Sequence, residues 1–191
     1  MILLMRHGKD DASRLGGWSD AGLTQSGIEQ VKNACKRFAD NAYDIRHIFA
    51  SDLQRAKETA DIVAKQLELP VQYLKAFRET NNGDLAGISK TRFKKEYPGL
   101  YYSALGWEQQ YPNGESPKQF YERIKDAWAE FKSTTSTLEG NILLVTHAGV
   151  IDIICCIEAG LPYTNKEGRF LIGHAEIIDP QKRIRDLQEK K

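Results

Sequence analysis

Two apolar runs in the 191-residue chain end in the same way. Ile2-Leu3-Leu4-Met5 leads into Arg6-His7-Gly8, and Ile142-Leu143-Leu144-Val145 leads into Thr146-His147-Ala148-Gly149. A third run, Ile45 to Ala50, is followed by Ser51-Asp52 and then Arg55. Short apolar runs bounded by turn residues read as buried strands. Open α/β sheets bind ligands beyond the carboxyl ends of their strands. Parallel neighbours would therefore bring Arg6, His7, Arg55 and His147 to one edge. Two imidazoles and two guanidiniums in one crevice make an anion site, because the planar arginine fork matches phosphate oxygens. A helix starting after Ser51 would add backbone donors. A lone histidine ending a strand is more often structural than catalytic; the coincidence of two, with two arginines, carries the inference.

These side chains need a scaffold, and periodicity supplies one. Thr24 caps a helix whose buried face is Ile28, Val31, Cys35 and Phe38, ending near Asp40-Asn41. Ser51-Asp52 caps a second, with Leu53, Ala56, Ala60, Val63 and Leu67 inward. Val71 to Leu74 is a short strand, Lys75 to Gly87 a loop, and Thr91 to Tyr97 a short helix stopped by Pro98-Gly99. Pro117 opens a helix to about Ser133, with Phe120, Ile124, Ala127, Trp128 and Phe131 inward. Asn141 to Thr146 is apolar on both faces and therefore central. A helix from Gly149 to Ala159 follows, then strands at Phe170–Ile172 and Ala175–Ile178, and a peripheral charged tail from Pro180. The alternation predicts a three-layer α/β/α sandwich with a mostly parallel central sheet. One domain over 1–191 is expected, with a cap insertion near 98–117 that carries Tyr101, Tyr102, Trp107 and Tyr111.

Composition narrows the function. A net charge of +1 argues against nucleic acid or a membrane surface as general partner. Three cysteines, two of them adjacent, are no disulfide framework. No run has the length of a membrane span, and the first residues lack a basic signal-peptide region. The expected location is cytoplasmic. No Cys-x5-Arg loop, P-loop or His-Glu-x-x-His helix occurs. Adjacent arginines would repel a metal ion, so no metal and no cofactor are expected. His47 reads as structural; His174, between the last two strands, lies near the pocket without a companion motif.

In sum the chain resembles the histidine phosphatase, or phosphoglycerate mutase-like, superfamily. The resemblance rests on Leu4 to Gly8, Asp20 to Gly27, Ser51 to Ala60, Phe77-Arg78-Glu79 with Gly83 to Gly87, Gly114-Glu115-Ser116, and Val145 to Gly149, in that order. It implies a phosphoglycerate mutase-like fold and catalytic roles for His7, Arg6, Arg55, His147 and Glu79. His7 would be phosphorylated, His147 and the two arginines would hold the phosphoryl group, and Glu79 would transfer protons. Asp84 is the competing acid. The run Lys9-Asp10-Asp11-Ala12-Ser13 departs from the family pattern. Ser13 would replace an asparagine contact to phosphate, and Ala148, where a glycine is common, would help bind phosphate or substrate.

The resemblance implies a phosphomonoester hydrolase of the histidine acid phosphatase type, acting through a phosphohistidine on a small phosphorylated metabolite. Two alternatives remain: a phosphoglycerate mutase-type phosphotransferase, and a non-catalytic phosphate-binding module. The compact chain favours the phosphatase branch, including the α-ribazole phosphatase-like group. A homodimer is left open.

Overall fold

The computed structural model describes residues 1–39 and 43–189. Among the described residues, five strands form one sheet: β1 (Ile2–Arg6), β2 (Ile45–Ala50), β3 (Val71–Tyr73), β4 (Asn141–Thr146) and β5 (Ile177–Ile178). Their order is β3-β2-β4-β1-β5. All pairings are parallel except β1 with β5. Six α-helices among the described residues accompany them: α1 (Gln25–Ala39), α2 (Gln54–Leu67), α3 (Lys90–Glu96), α4 (Pro117–Thr135), α5 (Ala148–Glu158) and α6 (Pro180–Gln188).

The strand period of two divides the core into two layers. Leu3 and Met5 face one side of β1, with Leu143 and Val145 of β4 beside them; they pack on Val31, Cys35, Ala56, Ala60 and Val63 of α1 and α2. Leu4 and Leu144 face the other side and pack on Phe120, Ile124, Phe131, Val150 and Ile154 of α4 and α5. Burial on both faces explains why β1 and β4 read as unbroken apolar runs. The helices are placed by local chemistry. Thr24 Oγ1 accepts the Gly27 N–H at 3.1 Å. Ser116 and Gln119 form a reciprocal capping box, with Pro117 in the first turn of α4.

Several expectations need correcting. The N-cap of α2 is Leu53, with no side-chain cap. Ser51 and Asp52 are drawn off by other partners: Asp52 takes both guanidinium donors of Arg78, at 2.6 and 2.8 Å. Phe170–Ile172 is not a strand, and the last strand is only Ile177–Ile178. The backbone N–H groups of Arg169 and Phe170 are taken by Asp152, so this segment is pinned to α5 instead of the sheet. The tail is a helix, capped by Asp179 and seated through buried Ile184. The expected end of the first helix at Asp40-Asn41 lies outside the described residues.

Leu100 to Ser116 forms turns without regular structure. Its Leu105 and Tyr111 join Leu85 and Phe93 in a small core of their own, so part of the aromatic content of this segment is packing. All three cysteines are buried and free. Burial pushes their thiols up, Cys35 to about 11 and Cys155 and Cys156 to about 12, which keeps them out of nucleophilic chemistry.

Candidate active site

Strand register assembles the site. Arg6 pairs with Thr146 and Ala50 with Val145, so β1, β4 and β2 end level. His7 and His147 each follow the last paired residue, and their ring centroids are 5.2 Å apart. Arg55 enters from the first turn of α2. A cleft of about 250 Å³ opens at this edge, bordered by Arg6, His7, Asp10, Arg55, Glu79 and His174.

The orientation of His7 is fixed. Its Nδ1 lies 2.7 Å from the carbonyl of Gly8. A carbonyl can only accept, so Nδ1 carries the proton and Nε2 keeps its lone pair. The Gly8 N–H is anchored in turn to Thr59 Oγ1 at 3.0 Å. A side chain at Gly8 would meet the Gly27 carbonyl at 2.7 Å, so the loop can press against α1 only with glycine here. Arg55 Nε donates towards His7 Nε2 at 3.3 Å. The guanidinium is 2 % exposed and is aimed by the carbonyl of Gly17, at 2.8 Å, and by Asp10, at 3.5 Å.

His147 is fully buried, and its Nε2 lies 2.8 Å from Ser51 Oγ. Ser51 Oγ also accepts the Leu53 N–H. Its own proton is then free for Nε2, which leaves Nδ1–H as a donor. That Nδ1 has no partner among the described residues, and neither do Arg6 Nε and His174 Nδ1. Buried polar atoms are normally hydrogen-bonded. Three unpartnered nitrogens on cleft-forming residues, beside two guanidiniums, fit an anionic ligand.

Glu79 reaches the site on the loop after β3. Its Oε2 accepts the Gly149 N–H from the first turn of α5, and its Oε1 the N–H of Thr80, each at 3.1 Å. A Cβ at position 149 would lie 2.5 Å from Glu79 Oε1, which explains the glycine there. The main chain of Glu79 is held from outside: its carbonyl accepts from Trp18 Nε1 at 2.7 Å and from Arg123 at 3.1 Å. Arg123 also binds the carbonyls of Ala76 and Arg78 and pairs with Glu115.

The structure therefore brings Arg6, His7, Arg55, Glu79 and His147 together. Ala148 begins α5 and lines a neighbouring cavity that also includes Arg6. Ser13 stands apart. It is exposed, and its hydroxyl donates to Asp11 at 2.7 Å. Asp84 is also exposed and accepts from Asn113. His47 is tied to the carbonyl of Glu139, as a structural residue would be.

His174 belongs to the cleft more firmly than its sequence context conveyed. Its Nε2 is 3.3 Å from Arg6, and its ring is 5.5 Å from that of His7. The following Ala175 has φ 56°, a left-handed conformation costly for alanine. Its N–H bonds to the carbonyls of Arg6 and His7, which holds His174 over the cleft. Only a contact across the whole chain places it there, and no local motif could announce it. Arg123 and Ser51 were missed as positioning residues for the same reason.

Burial, then Arg55, holds the His7 and His147 imidazoles well below the usual histidine range. His7 is therefore a neutral imidazole at neutral pH. Stability follows with a definite sign. In the unfolded chain each imidazole takes up a proton as pH falls through about 6.5; in the fold both stay neutral. Below that pH the unfolded state binds more protons, so acidification destabilises the protein. The slope reaches about 1.4 kcal/mol per pH unit for each histidine. Chemical denaturation at pH 7.5, 6.5 and 5.5 should show stability falling across the lower interval, and a flat profile would contradict a buried neutral pair.

Comparison with known proteins agrees with this geometry. A phosphoglycerate mutase of Schizosaccharomyces pombe is 31% identical over 134 residues, covering 65% of this chain and 63% of that protein. The chain thus spans a little over three fifths of the length of this and two other mutases that it matches. A Bacillus subtilis protein named uncharacterized phosphatase PhoE is 26% identical over 191 residues, covering 97% of this chain and 92% of that one. The crystal structure of the alpha-ribazole phosphatase from Shigella flexneri superimposes with a TM-score of 0.78 at 26% identity, covering 92% of this chain and 87% of that one. A mycobacterial glucosyl-3-phosphoglycerate phosphatase gives 0.72 at 26% identity over the same shares. The family model described as histidine phosphatase superfamily (branch 1) matches residues 2–178. With its paired strand-end histidines, two arginines and mostly parallel sheet, the chain belongs to the histidine phosphatase superfamily.

Proposed function

We propose that the chain hydrolyses a small phosphomonoester through a phosphohistidine at His7, without a metal. The observation that carries this reading is the geometry of His7. Its Nδ1–H is tied to the Gly8 carbonyl, and its Nε2 lone pair faces Arg55 beside His147. Nε2 attacks phosphorus in line, and the P–O bond to the leaving group breaks. Glu79 gives that oxygen its proton. A water then attacks the phosphohistidine, Glu79 takes the water's proton, and inorganic phosphate leaves with His7 restored.

Arg6, Arg55 and His147 surround the non-bridging oxygens, where transition-state charge is spread. They are held before substrate arrives, so little reorganisation is required. His174 Nδ1 adds a fourth donor from the β5 side.

The mutase relatives make transfer to a second hydroxyl the competing reading. Both are separated by 3-phosphoglycerate. A hydrolase is expected to release inorganic phosphate and glycerate from it, or from other esters in a panel, without forming 2-phosphoglycerate. Isomerisation outpacing hydrolysis would favour the mutase. A labelled acid-labile phosphoenzyme is expected with any turned-over ester, and a binding module would give neither label nor turnover. A chelator should leave turnover unchanged.

The segment near 98–117 is proposed as the cap that meets the leaving group. Of its four expected aromatics, Tyr102 lines the cavity next to the phosphate cleft.

A further inference from the structure

That neighbouring cavity, about 250 Å³, shares Arg6 with the phosphate cleft. Tyr102, Tyr163, Phe170 and Ile172 give it largely apolar walls, and Gly149, the donor to Glu79, lines it too. One buried carboxylate stands among them, Asp152; Glu167 at the rim is exposed and faces Arg169. Asp152 lies one helical turn beyond Ala148 on the same face of α5.

The carboxylate is fixed by one oxygen only. Asp152 Oδ1 accepts the N–H groups of Arg169, at 3.0 Å, and Phe170, at 2.8 Å. Oδ2 has no hydrogen-bond partner among the described residues and is open to the cavity, where a bound ligand would cover it. The Arg169 guanidinium acts on the charge from a distance, and burial, the larger effect, keeps the carboxyl above its ordinary range. A carboxylate oxygen in apolar surroundings is costly unless a donor reaches it. The walls around it are rigid: the Tyr102 and Tyr163 hydroxyls are 3.0 Å apart, and Tyr163 stacks on Tyr121 with centroids 5.6 Å apart. The phosphohistidine chemistry makes no use of Asp152.

We propose that this cavity receives the leaving group of the phosphomonoester, and that Asp152 Oδ2 selects leaving groups carrying a hydroxyl or amino donor. The inference rests on the phosphatase reading. Arg6 holds the phosphate end, the tyrosines flank a ring or carbon chain, and Asp152 reads the far end. An ester without the donor would leave Oδ2 desolvated and unpaired, the arrangement that gives polar sites their strong discrimination.

Three matched esters test it: 4-ethylphenyl, 4-(2-hydroxyethyl)phenyl and 4-(2-aminoethyl)phenyl phosphate, each followed by phosphate release. The wild-type protein is expected to favour at least one donor-bearing ester by about tenfold or more in kcat/KM, the value of a hydrogen bond to a charged group. Asp152→Asn keeps an acceptor for the two backbone N–H groups and replaces Oδ2 with a donor. In that variant the preference should collapse to within about twofold. A melting curve checks its folding, and the wild-type ratio stands without the variant. Hydrolysis without donor preference in the wild type, or a preference that survives in a folded Asp152→Asn, overturns the leaving-group assignment and leaves the phosphatase reading intact. Hydrolysis of none of the three overturns both.

Discussion

His7→Ala is expected to lower kcat on any phosphomonoester by roughly 10⁴-fold or more, the loss typical of removing a catalytic nucleophile. That corresponds to about 5.5 kcal/mol in barrier height. The expectation follows from geometry. No other imidazole in the cleft has the same arrangement of one nitrogen fixed on a carbonyl and the other beside Arg55. His147 is turned onto Ser51 and His174 onto Arg6, so neither can take over without abandoning its partner. The variant should fold, because the side chain of His7 bonds to the backbone of its own neighbour and to no distant carbonyl. Phosphate release and labelling of the protein by a ³²P-ester should vanish together. Turnover retained within tenfold in a folded His7→Ala would remove the proposed nucleophile.

Glu79→Gln should divide substrates by leaving group. An alkoxide cannot depart without a proton, whereas 4-nitrophenolate can. General acid catalysis contributes about 10²- to 10⁴-fold. In single-turnover measurements an alkyl phosphate is expected to lose that much in the first step, and 4-nitrophenyl phosphate less than about tenfold. In the proposed mechanism Glu79 also serves the water in the second step, so the phosphohistidine should accumulate with the nitrophenyl ester and appear as a burst. The substitution is conservative at this place. Gln retains an oxygen that can accept one of the two N–H groups, from Gly149 or Thr80, that hold Glu79. The main-chain anchors to Trp18 and Arg123 are untouched. Equal losses on both esters would make Glu79 a binding residue instead of a proton carrier.

The two assays also weigh the neighbours. Asp84 faces Asn113 at the surface, so a residual acid function in Glu79→Gln has no ready source there. Ser13 donates to Asp11 and is exposed. The loop Lys9 to Ser13 meets the cleft through Asp10, Asp11 and Ala12 instead. Asp10 steers Arg55 from 3.5 Å.

What the sequence determined by itself was local or repeated. Apolar runs fixed β1 and β4, because burial on both faces demands unbroken hydrophobic strands. Helical spacing fixed the inward faces of α1, α2 and α4, and Arg6, His7, Arg55 and His147 were legible because each sits at or just beyond a strand end. Tertiary structure decided what depends on contacts between distant residues. It melted the expected strand at Phe170 by giving its N–H to Asp152, and it docked the charged tail through Ile184. It turned Ser51 from a helix cap into the partner of His147, and carried His174 across to Arg6 through one strained turn at Ala175. Short polar segments carry no periodicity, so their conformation is set by whichever distant donor or acceptor satisfies them, and only the folded chain brings that partner within reach.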